Sequence, residues 1–451
     1  MTLSHYFHTP PRDSTTTYRV MRLYACGSNG AGQLSLHHHE DVSTLMPCEF
    51  HPSLSLPADA EIIDLVSSST HSLLLVRAHD RNILLGAGTN TLGQLGPRCA
   101  LWDEVKPETR FKPVNLAGSA GLQGDWEPIK IAASWTTSFV VYRACSEVDG
   151  GSATAAGGSS TNPDTAIGTR GSREVLLACG SDDFGELGRG GPRDKVSVTR
   201  PSDSPVEVDL GLEEGDAIDM LRAGQRHIVA VISGPNGQRM VGWGASRKGE
   251  LDCRAGVRSI KAKGKTAYPP ISAPVALELD FSGSQRIVDV RLGASHTVVL
   301  LSNGEMRAWG SDLKGQIDGL SATSGIRSIA ATWGGSYVLD DAGRVWSQGS
   351  NTHGQLCRIA EMDPRTARGE VAPGDVISGV EEIVTGSEHL MALVSGQDGQ
   401  RQLYAGGWNE HGNLGVGDQV DRASLQQVDV PGQIKRVWGG LAATWVWVED
   451  S

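Results

Sequence analysis

Short apolar runs joined by tight polar turns recur along this chain, and residues 291–317 show the unit most clearly. Val298–Leu301 is an apolar run with β-branched residues, and Met306–Trp309 is a second run with alternating character. Between them lies Ser302–Glu305, whose central Asn-Gly pair tolerates the positive φ angles that a tight hairpin requires. The pattern therefore predicts a β-hairpin that is entered and left through glycine-containing loops.

Two sequence markers recur with this hairpin. The first is a glycine, any four residues, a second glycine, then Gln, Glu or Asn, and then Leu or Ile. Its seven copies begin at Gly27, Gly88, Gly180, Gly244, Gly310, Gly349 and Gly407. The second marker is a small-residue stretch that ends in His-Ser, His-Thr or a substitute and precedes an apolar run. Its seven copies are at His71, Thr137, His227, His296, Gly335, His389 and Ala443.

The two markers alternate strictly, and successive first glycines are 39 to 92 residues apart. Repeats of this length are typical of small sheets stacked around an axis. We therefore predict an all-β fold, a seven-bladed β-propeller, in which the second marker opens an inner strand and the hairpin carries the chain outward. The glycines allow tight turns with positive φ, where a side chain would clash.

The two ends of the chain predict how the ring closes. A strand over Arg19–Cys26 leads into the first glycine marker, and Ala443–Val448 forms a strand after the last copy of the second marker. Pairing of these strands completes one blade and protects the sheet edges. We expect residues 1–18 to be a flexible tail and residues 19–448 to be one propeller. Residues 147–172, which are rich in Gly, Ser, Thr and Ala, are expected to be a disordered insertion.

Composition argues against several classes of protein. The net charge of −12 disfavours an electrostatic grip on duplex DNA, and residues 1–17 contain one arginine and no lysine. The chain has no apolar stretch of about 18 residues that would predict a transmembrane helix, and its first residues lack the order of a secretion signal. The seven cysteines, an odd number without close pairs, indicate reduced thiols in a cytosolic or nuclear protein.

None of the motifs that could carry chemistry is complete. Residues 259–266 end like a phosphate-binding loop but lack its first glycine, so we predict a solvated basic loop, in which the cluster at 254–265 could contact RNA or an acidic partner. The consecutive His37–His39 lack the spacing of zinc ligands. The second-marker histidine is substituted in three units, which favours bracing of adjacent blades over catalysis. We therefore predict no catalytic residue, no cofactor and no metal.

The paired markers resemble the regulator-of-chromosome-condensation (RCC-type) repeat family, whose members are seven-bladed propellers, over roughly residues 20–448. Within it, Gly406–Gly415 resembles the last repeat of a fungal branch, the killer-toxin-insensitivity or alpha-tubulin suppressor propeller. This resemblance implies a non-catalytic adaptor that forms a heterodimer with a small zinc-binding electron-carrier protein of diphthamide synthesis. It also implies support for Elongator-dependent modification of wobble uridines in transfer RNA, in the cytoplasm and the nucleus.

Two other functions are carried by the same family. The wider family implies guanine-nucleotide exchange on a Ran-type small GTPase, although the basic N-terminal tail of its chromatin-binding members is absent here. A light-sensing homodimer like the plant ultraviolet-B receptor would need Gly-Trp-Arg-His-Thr motifs, and this sequence contains none. The adaptor function is therefore the first expectation and nucleotide exchange is the alternative.

Five residues are the predicted contacts for a protein partner. Trp135 and Trp333 each stand two residues before a second-marker position, in a loop that opens on one propeller face in the family. Trp408, Glu410 and His411 belong to the seventh glycine turn. Tryptophan is enriched in binding hot spots. The sequence therefore predicts a rigid disc that presents one face or rim to a small acidic or zinc-binding partner, without bond-making chemistry of its own.

Overall fold

The computed structural model describes residues 22–57, 59–97, 107–145, 173–190, 204–252, 269–279, 285–317, 325–358, 369–370, 379–396 and 399–449. The expected tail at 1–18, the expected insertion at 147–172 and the basic cluster at 254–265 lie outside these residues. Within the described part, the chain forms strands and one short helix, α1 (Leu116–Ser119).

The strands in chain order are β1 (Arg22–Gly27), β2 (Val42–Pro47), β3 (Glu61–Ser67), β4 (His71–Ala78), β5 (Arg81–Gly88), β6 (Glu108–Pro113), β7 (Trp126–Ala133), β8 (Thr137–Ala144), β9 (Glu174–Gly180), β10 (Val206–Val208), β11 (Ala217–Ala223), β12 (His227–Gly234), β13 (Gly237–Gly244), β14 (Ile271–Ala276), β15 (Ile287–Leu292), β16 (His296–Leu301), β17 (Met306–Gly310), β18 (Ile326–Ala331), β19 (Gly335–Asp340), β20 (Val345–Gly349), β21 (Gly369–Glu370), β22 (Val380–Thr385), β23 (His389–Ser395), β24 (Arg401–Gly407), β25 (Arg422–Val428), β26 (Gln433–Gly439) and β27 (Ala443–Glu449).

These strands make seven antiparallel sheets, which are the blades of a propeller. Blades 1, 2 and 3 are β3–β6, β7–β10 and β11–β14, and blade 4 is β15–β17. Blades 5 and 6 are β18–β21 and β22–β25, and blade 7 has the order β2-β1-β27-β26. The all-β, seven-bladed architecture predicted from the repeats is confirmed.

Blade 7 closes the ring with strands from both ends of the described chain. Strand β27 lies between β1 and β26, with Tyr24 opposite Val446 and Cys26 opposite Thr444. A sheet that is completed in this way leaves no unpaired edge between the first and last units. The predicted closure by N- and C-terminal strands is confirmed.

The innermost strand of each blade is the one that precedes the second marker, so the expectation that the marker opens the inner strand is wrong. Strands β3, β7, β11, β15, β18, β22 and β26 surround a central channel of about 320 Å³. Charged side chains line this channel, among them Asp64, Arg222, Arg291, Glu382 and Arg436. The marker strand is second in each blade, where its two faces are both covered.

Covering on both faces explains why the marker strands are continuous apolar runs. The buried apolar side chains of the described residues form seven clusters, one between each pair of neighbouring blades. In β4, Leu74 and Val76 belong to the cluster shared with blade 7, whereas Leu73 and Leu75 belong to the cluster shared with blade 2. Successive side chains of a strand point to opposite faces, so a strand between two neighbours must be apolar throughout.

Side chains at fixed positions close the glycine turns. Both marker glycines have positive φ in every unit, for example 116° at Gly27 and 73° at Gly32. The Gln after the second glycine accepts a backbone N–H two residues earlier, 2.9 Å at Gln33. An Asn or Asp two residues after the first glycine accepts the N–H of the following buried Leu or Ile, 3.0 Å from Asn29 to Leu34. This Asn or Asp recurs in six of the seven turns and was missed in the sequence pattern.

Candidate functional site

The second-marker loops and the glycine turns all lie on one face of the disc, which we call the turn face. The strand pairing shows this, because each marker residue is opposite the first glycine of its own blade, as in His71 with Gly88 and His296 with Gly310. The hairpins between the second and third strands consequently lie on the opposite face. Trp135, Trp333, Trp408, Glu410 and His411 all belong to the loops and turns of the turn face.

Trp135 and Trp333 meet over the propeller axis. They come from blades 2 and 5, which are nearly opposite in a ring of seven, and their ring centroids are 5.3 Å apart with the planes inclined by 22°. Backbone hydrogen bonds hold their loops, from Trp135 N to Gln225 O (3.1 Å) and from Trp333 N to Ser387 O (2.7 Å). A stacked aromatic pair contributes about 0.5–1.5 kcal/mol beyond its buried area. The pair therefore spans the mouth of the central channel.

A cavity of about 210 Å³ lies beside this pair on the turn face. Trp135, Trp333, Trp408 and His411 line it together with small residues from three blades, 1, 6 and 7. The ring of Trp408 contacts that of His411 edge to face, with centroids 5.3 Å apart. Four of the five predicted contact residues therefore meet at one cavity. Glu410 is exposed in the same turn but does not line the cavity.

His411 also joins two blades. Its Nδ1 is 2.6 Å from Oδ2 of Asp41 in blade 7, and Oδ1 of Asp41 accepts the backbone N–H of Asn29. The same arrangement recurs one blade earlier, where His353 Nδ1 is 2.9 Å from Oδ2 of Asp421. These His–Asp contacts were missed in the sequence, because each pair is far apart along the chain and belongs to neighbouring blades.

The recurring second-marker histidines are structural braces between blades, as expected. Each places Nε2 near a hydroxyl of the next blade: His71 lies 2.7 Å from Ser138 and His296 lies 3.0 Å from Ser336. His227 and His389 contact Thr297 and Thr444 in the same way. Burial lowers the pKa of His71 and His227 to about 3, and that of His296 and His389 to about 4. These imidazoles are therefore neutral in the folded protein near neutral pH.

The described residues contain no group of three or more His, Cys, Asp and Glu side chains that could hold a metal ion. In the same part of the chain, no helix has the length and apolar character needed to cross a membrane. The turn face is accordingly described by its aromatic cavity and its loops.

The repeating unit of this chain is similar to a known repeat. The regulator of chromosome condensation (RCC1) repeat matches residues 287–316, which contain the hairpin of β16 and β17. The secretion-regulating guanine nucleotide exchange factor of Bos taurus is 27% identical over 442 residues, which cover 91% of this chain and 79% of that protein. An RCC1 repeat-containing protein of Schizosaccharomyces pombe is 24% identical over 95% of this chain and 99% of its own length. The chain is a seven-bladed propeller that carries an RCC1 repeat at residues 287–316.

The solved structures agree with this architecture. The propeller superposes on Prp20p from Saccharomyces cerevisiae with a TM-score of 0.65 and 17% identity, covering 96% of this chain and 92% of that one. At this identity the likeness shows the fold alone.

Proposed function

We propose that this RCC1-repeat propeller is a docking protein that binds a protein partner on its turn face and makes or breaks no covalent bond itself. The observation that carries the proposal is the meeting of Trp135, Trp333 and Trp408 at one cavity. Pockets for drug-sized ligands measure about 300–1,000 Å³. A cavity of about 210 Å³ is smaller than these and suits one anchoring side chain of a partner.

The fold favours such an anchor site. Tryptophan-rich, well-packed pockets are where a few side chains supply most of a binding free energy. The loops around the cavity are held by backbone hydrogen bonds from blade to blade, for example Ser387 N to Leu441 O at 3.3 Å and Leu441 N to Ser67 O at 3.2 Å. A surface that is already ordered loses little conformational entropy when a partner binds.

A Ran-type small GTPase is the first candidate partner, and the activity would be guanine-nucleotide exchange. The bovine relative that matches 91% of this chain is named a secretion-regulating guanine nucleotide exchange factor. The structure of Prp20p is described together with its binding properties to Gsp1p and histones. Exchange requires that a partner be bound and its nucleotide contacts be displaced, which a docking face can do without a reaction centre.

A small zinc-binding electron-carrier protein of diphthamide synthesis is the second candidate partner. With it, the propeller would be an adaptor in that pathway and in Elongator-dependent transfer RNA modification, in the cytoplasm and the nucleus. The observation that favours this candidate is the position of the seventh turn, whose Trp408 and His411 line the cavity. That turn carries the resemblance to the fungal killer-toxin-insensitivity branch, and the net charge of −12 suits a partner other than chromatin.

Purified partners decide between these candidates. We would measure the release of a fluorescent guanine nucleotide from a Ran-type GTPase, and the binding of the zinc protein by calorimetry, with the wild type and with Trp333→Ala. Loss of a hot-spot residue costs at least about 2 kcal/mol, so the productive reaction should weaken about thirtyfold. Trp126→Ala is the matched control, since Trp126 begins β7 at the opposite face. The docking proposal is wrong if both partners bind Trp333→Ala as tightly as the wild type.

A further inference from the structure

The tips of the seven glycine turns differ in charge around the ring. The third and fourth residues after the first glycine form each tip, and they carry Lys or Arg only in blades 3 and 4. These are Arg247 and Lys248 in blade 3 and Lys314 in blade 4, all exposed on the turn face. Leu313, beside Lys314, is an exposed apolar residue at 61%. An acidic protein thus has a local basic surface on one half of its turn face.

An aromatic ring organises the basic surface. The guanidinium carbon of Arg226, in the marker loop of blade 3, lies 5.1 Å from the centroid of Phe184, the tip residue of blade 2. The guanidinium carbon of Arg247 lies 5.0 Å from the same centroid. A guanidinium over an aromatic face is attracted by the negative charge density of the ring. Phe184 therefore holds two arginines close together at the junction of blades 2 and 3.

The two arginines differ in how their charge is balanced. Arg226 Nη1 is 3.2 Å from Asp183 and 3.1 Å from the buried Glu186. Within the described part of the chain Arg247 forms no direct ion pair, although the charge of the buried Glu250 interacts with Arg247 and with Lys248. The stacked side chain is held over the ring, and its guanidinium N–H groups have the geometry to donate two hydrogen bonds to one carboxylate. Arg247 and the neighbouring Lys248 thus place two exposed cationic side chains at the tip of the blade 3 turn.

We propose that the Phe184–Arg247 surface, with Lys248, binds the carboxylates of an acidic segment of the protein partner. This inference rests on the proposed docking of a protein at the turn face, and it specifies that the docked protein presents an acidic segment. Trp135 connects the aromatic cavity with this basic surface, because its backbone N–H donates a hydrogen bond to the carbonyl oxygen of Gln225, the residue before Arg226. Asp183 and Glu186 lie beside the basic surface, and the net charge of the protein is −12. These negative charges repel the closely spaced phosphates of RNA more strongly than they repel a few carboxylates, so an acidic peptide segment is the better ligand.

A fluorescein-labelled glutamate decapeptide tests this site on the full chain at low ionic strength. A glutamine decapeptide and a single-stranded RNA decamer serve as comparison probes. A charge-assisted hydrogen bond is worth about 1.5–3 kcal/mol, so Arg247→Glu should weaken binding of the acidic peptide about tenfold or more. Arg173→Glu is the matched control, because Arg173 also lies over an aromatic ring, 5.7 Å from the centroid of Trp126, but at the opposite face.

Each outcome decides the inference. Support is binding of the acidic peptide, weakened by Arg247→Glu and unchanged by Arg173→Glu, with Arg247→Gln intermediate. The inference is overturned if the wild type does not bind the acidic peptide, if the two charge reversals act equally, or if RNA binding depends on Arg247 and peptide binding does not. The melting temperature of Arg247→Glu, compared with that of the wild type, tests whether this exposed substitution leaves the fold intact. A failure here leaves the Trp333→Ala result untouched, so the two proposals fail separately.

Discussion

The buried histidine braces should make the propeller sensitive to acid, and His296→Gln tests this. The imidazole of His296 is fully buried between blades 4 and 5, with Nε2 facing Ser336 and with His227 nearby. Burial lowers its pKa to about 4 in the folded protein, whereas the pKa of a histidine in an unfolded chain is about 6.5. As the pH falls through this window the unfolded chain takes up a proton that the folded protein does not. The folded protein is therefore destabilised.

The size of the effect follows from the two pKa values. Between about pH 7.5 and about pH 5, His296 should remove roughly 2 kcal/mol from the free energy of unfolding. A loss of this size from one residue is a large share of the stability of a typical domain, about 5–15 kcal/mol. Burial raises the pKa of three carboxyl groups, those of Glu186, Glu250 and Glu388. These groups lower the stability of the folded protein as the pH rises above the ordinary pKa of glutamate, so their effect on stability is opposite in sign to that of the histidines.

Urea unfolding followed by tryptophan fluorescence at the two pH values measures the difference directly. His296→Gln should be less stable than the wild type near neutral pH, because the contact with Ser336 is changed, yet it should lose roughly 2 kcal/mol less between the two pH values. The exposed His39→Gln controls for removal of a histidine. If His296→Gln and the wild type show the same loss, then His296 is not held neutral by the fold and the reasoning is refuted.

Two further predictions concern the ring itself. A Cβ at Gly349 would lie 2.2 Å from the carbonyl oxygen of Gly334, whereas Gly237 has a similar positive φ and open space around it. Gly349→Ala should therefore lower the calorimetric stability by about 1–3 kcal/mol more than Gly237→Ala does. Equal losses would show that the close approach is unimportant. Deleting the residues after Val446 removes the buried Val448 and its pairing with β1, and should abolish cooperative thermal unfolding of the whole ring; an unchanged melting temperature would contradict closure by β27.

The repeated features were visible in the sequence because the same physical demand is made in every blade. Seven turns have positive φ at the same two positions, and at the first of these a Cβ would lie 2.2–2.7 Å from a backbone oxygen of the marker loop. Seven strands lie between two blades, so each is an apolar run. The inner strands were misplaced because their channel-facing side chains, such as Asp64 and Arg222, interrupt the apolar pattern.

The candidate site was only partly visible. Trp135, Trp333, Trp408 and His411 stood out as aromatic and polar residues in loops, but their meeting at one cavity is a property of the closed ring. The pairing of His411 with Asp41 spans 370 positions of the chain, and Arg226 reaches Phe184 from a different blade. No local pattern records such contacts, because each blade supplies only one of the two partners.

The sequence by itself determined the number of blades, the turn chemistry and the strand that closes the ring, since these depend on contacts within a unit or between identical units. The tertiary structure alone decided which loops face each other across the axis and which charges gather on the turn face. The reason is geometric, because closing seven blades into a circle brings together residues from opposite units whose separation along the chain carries no information about their distance in space.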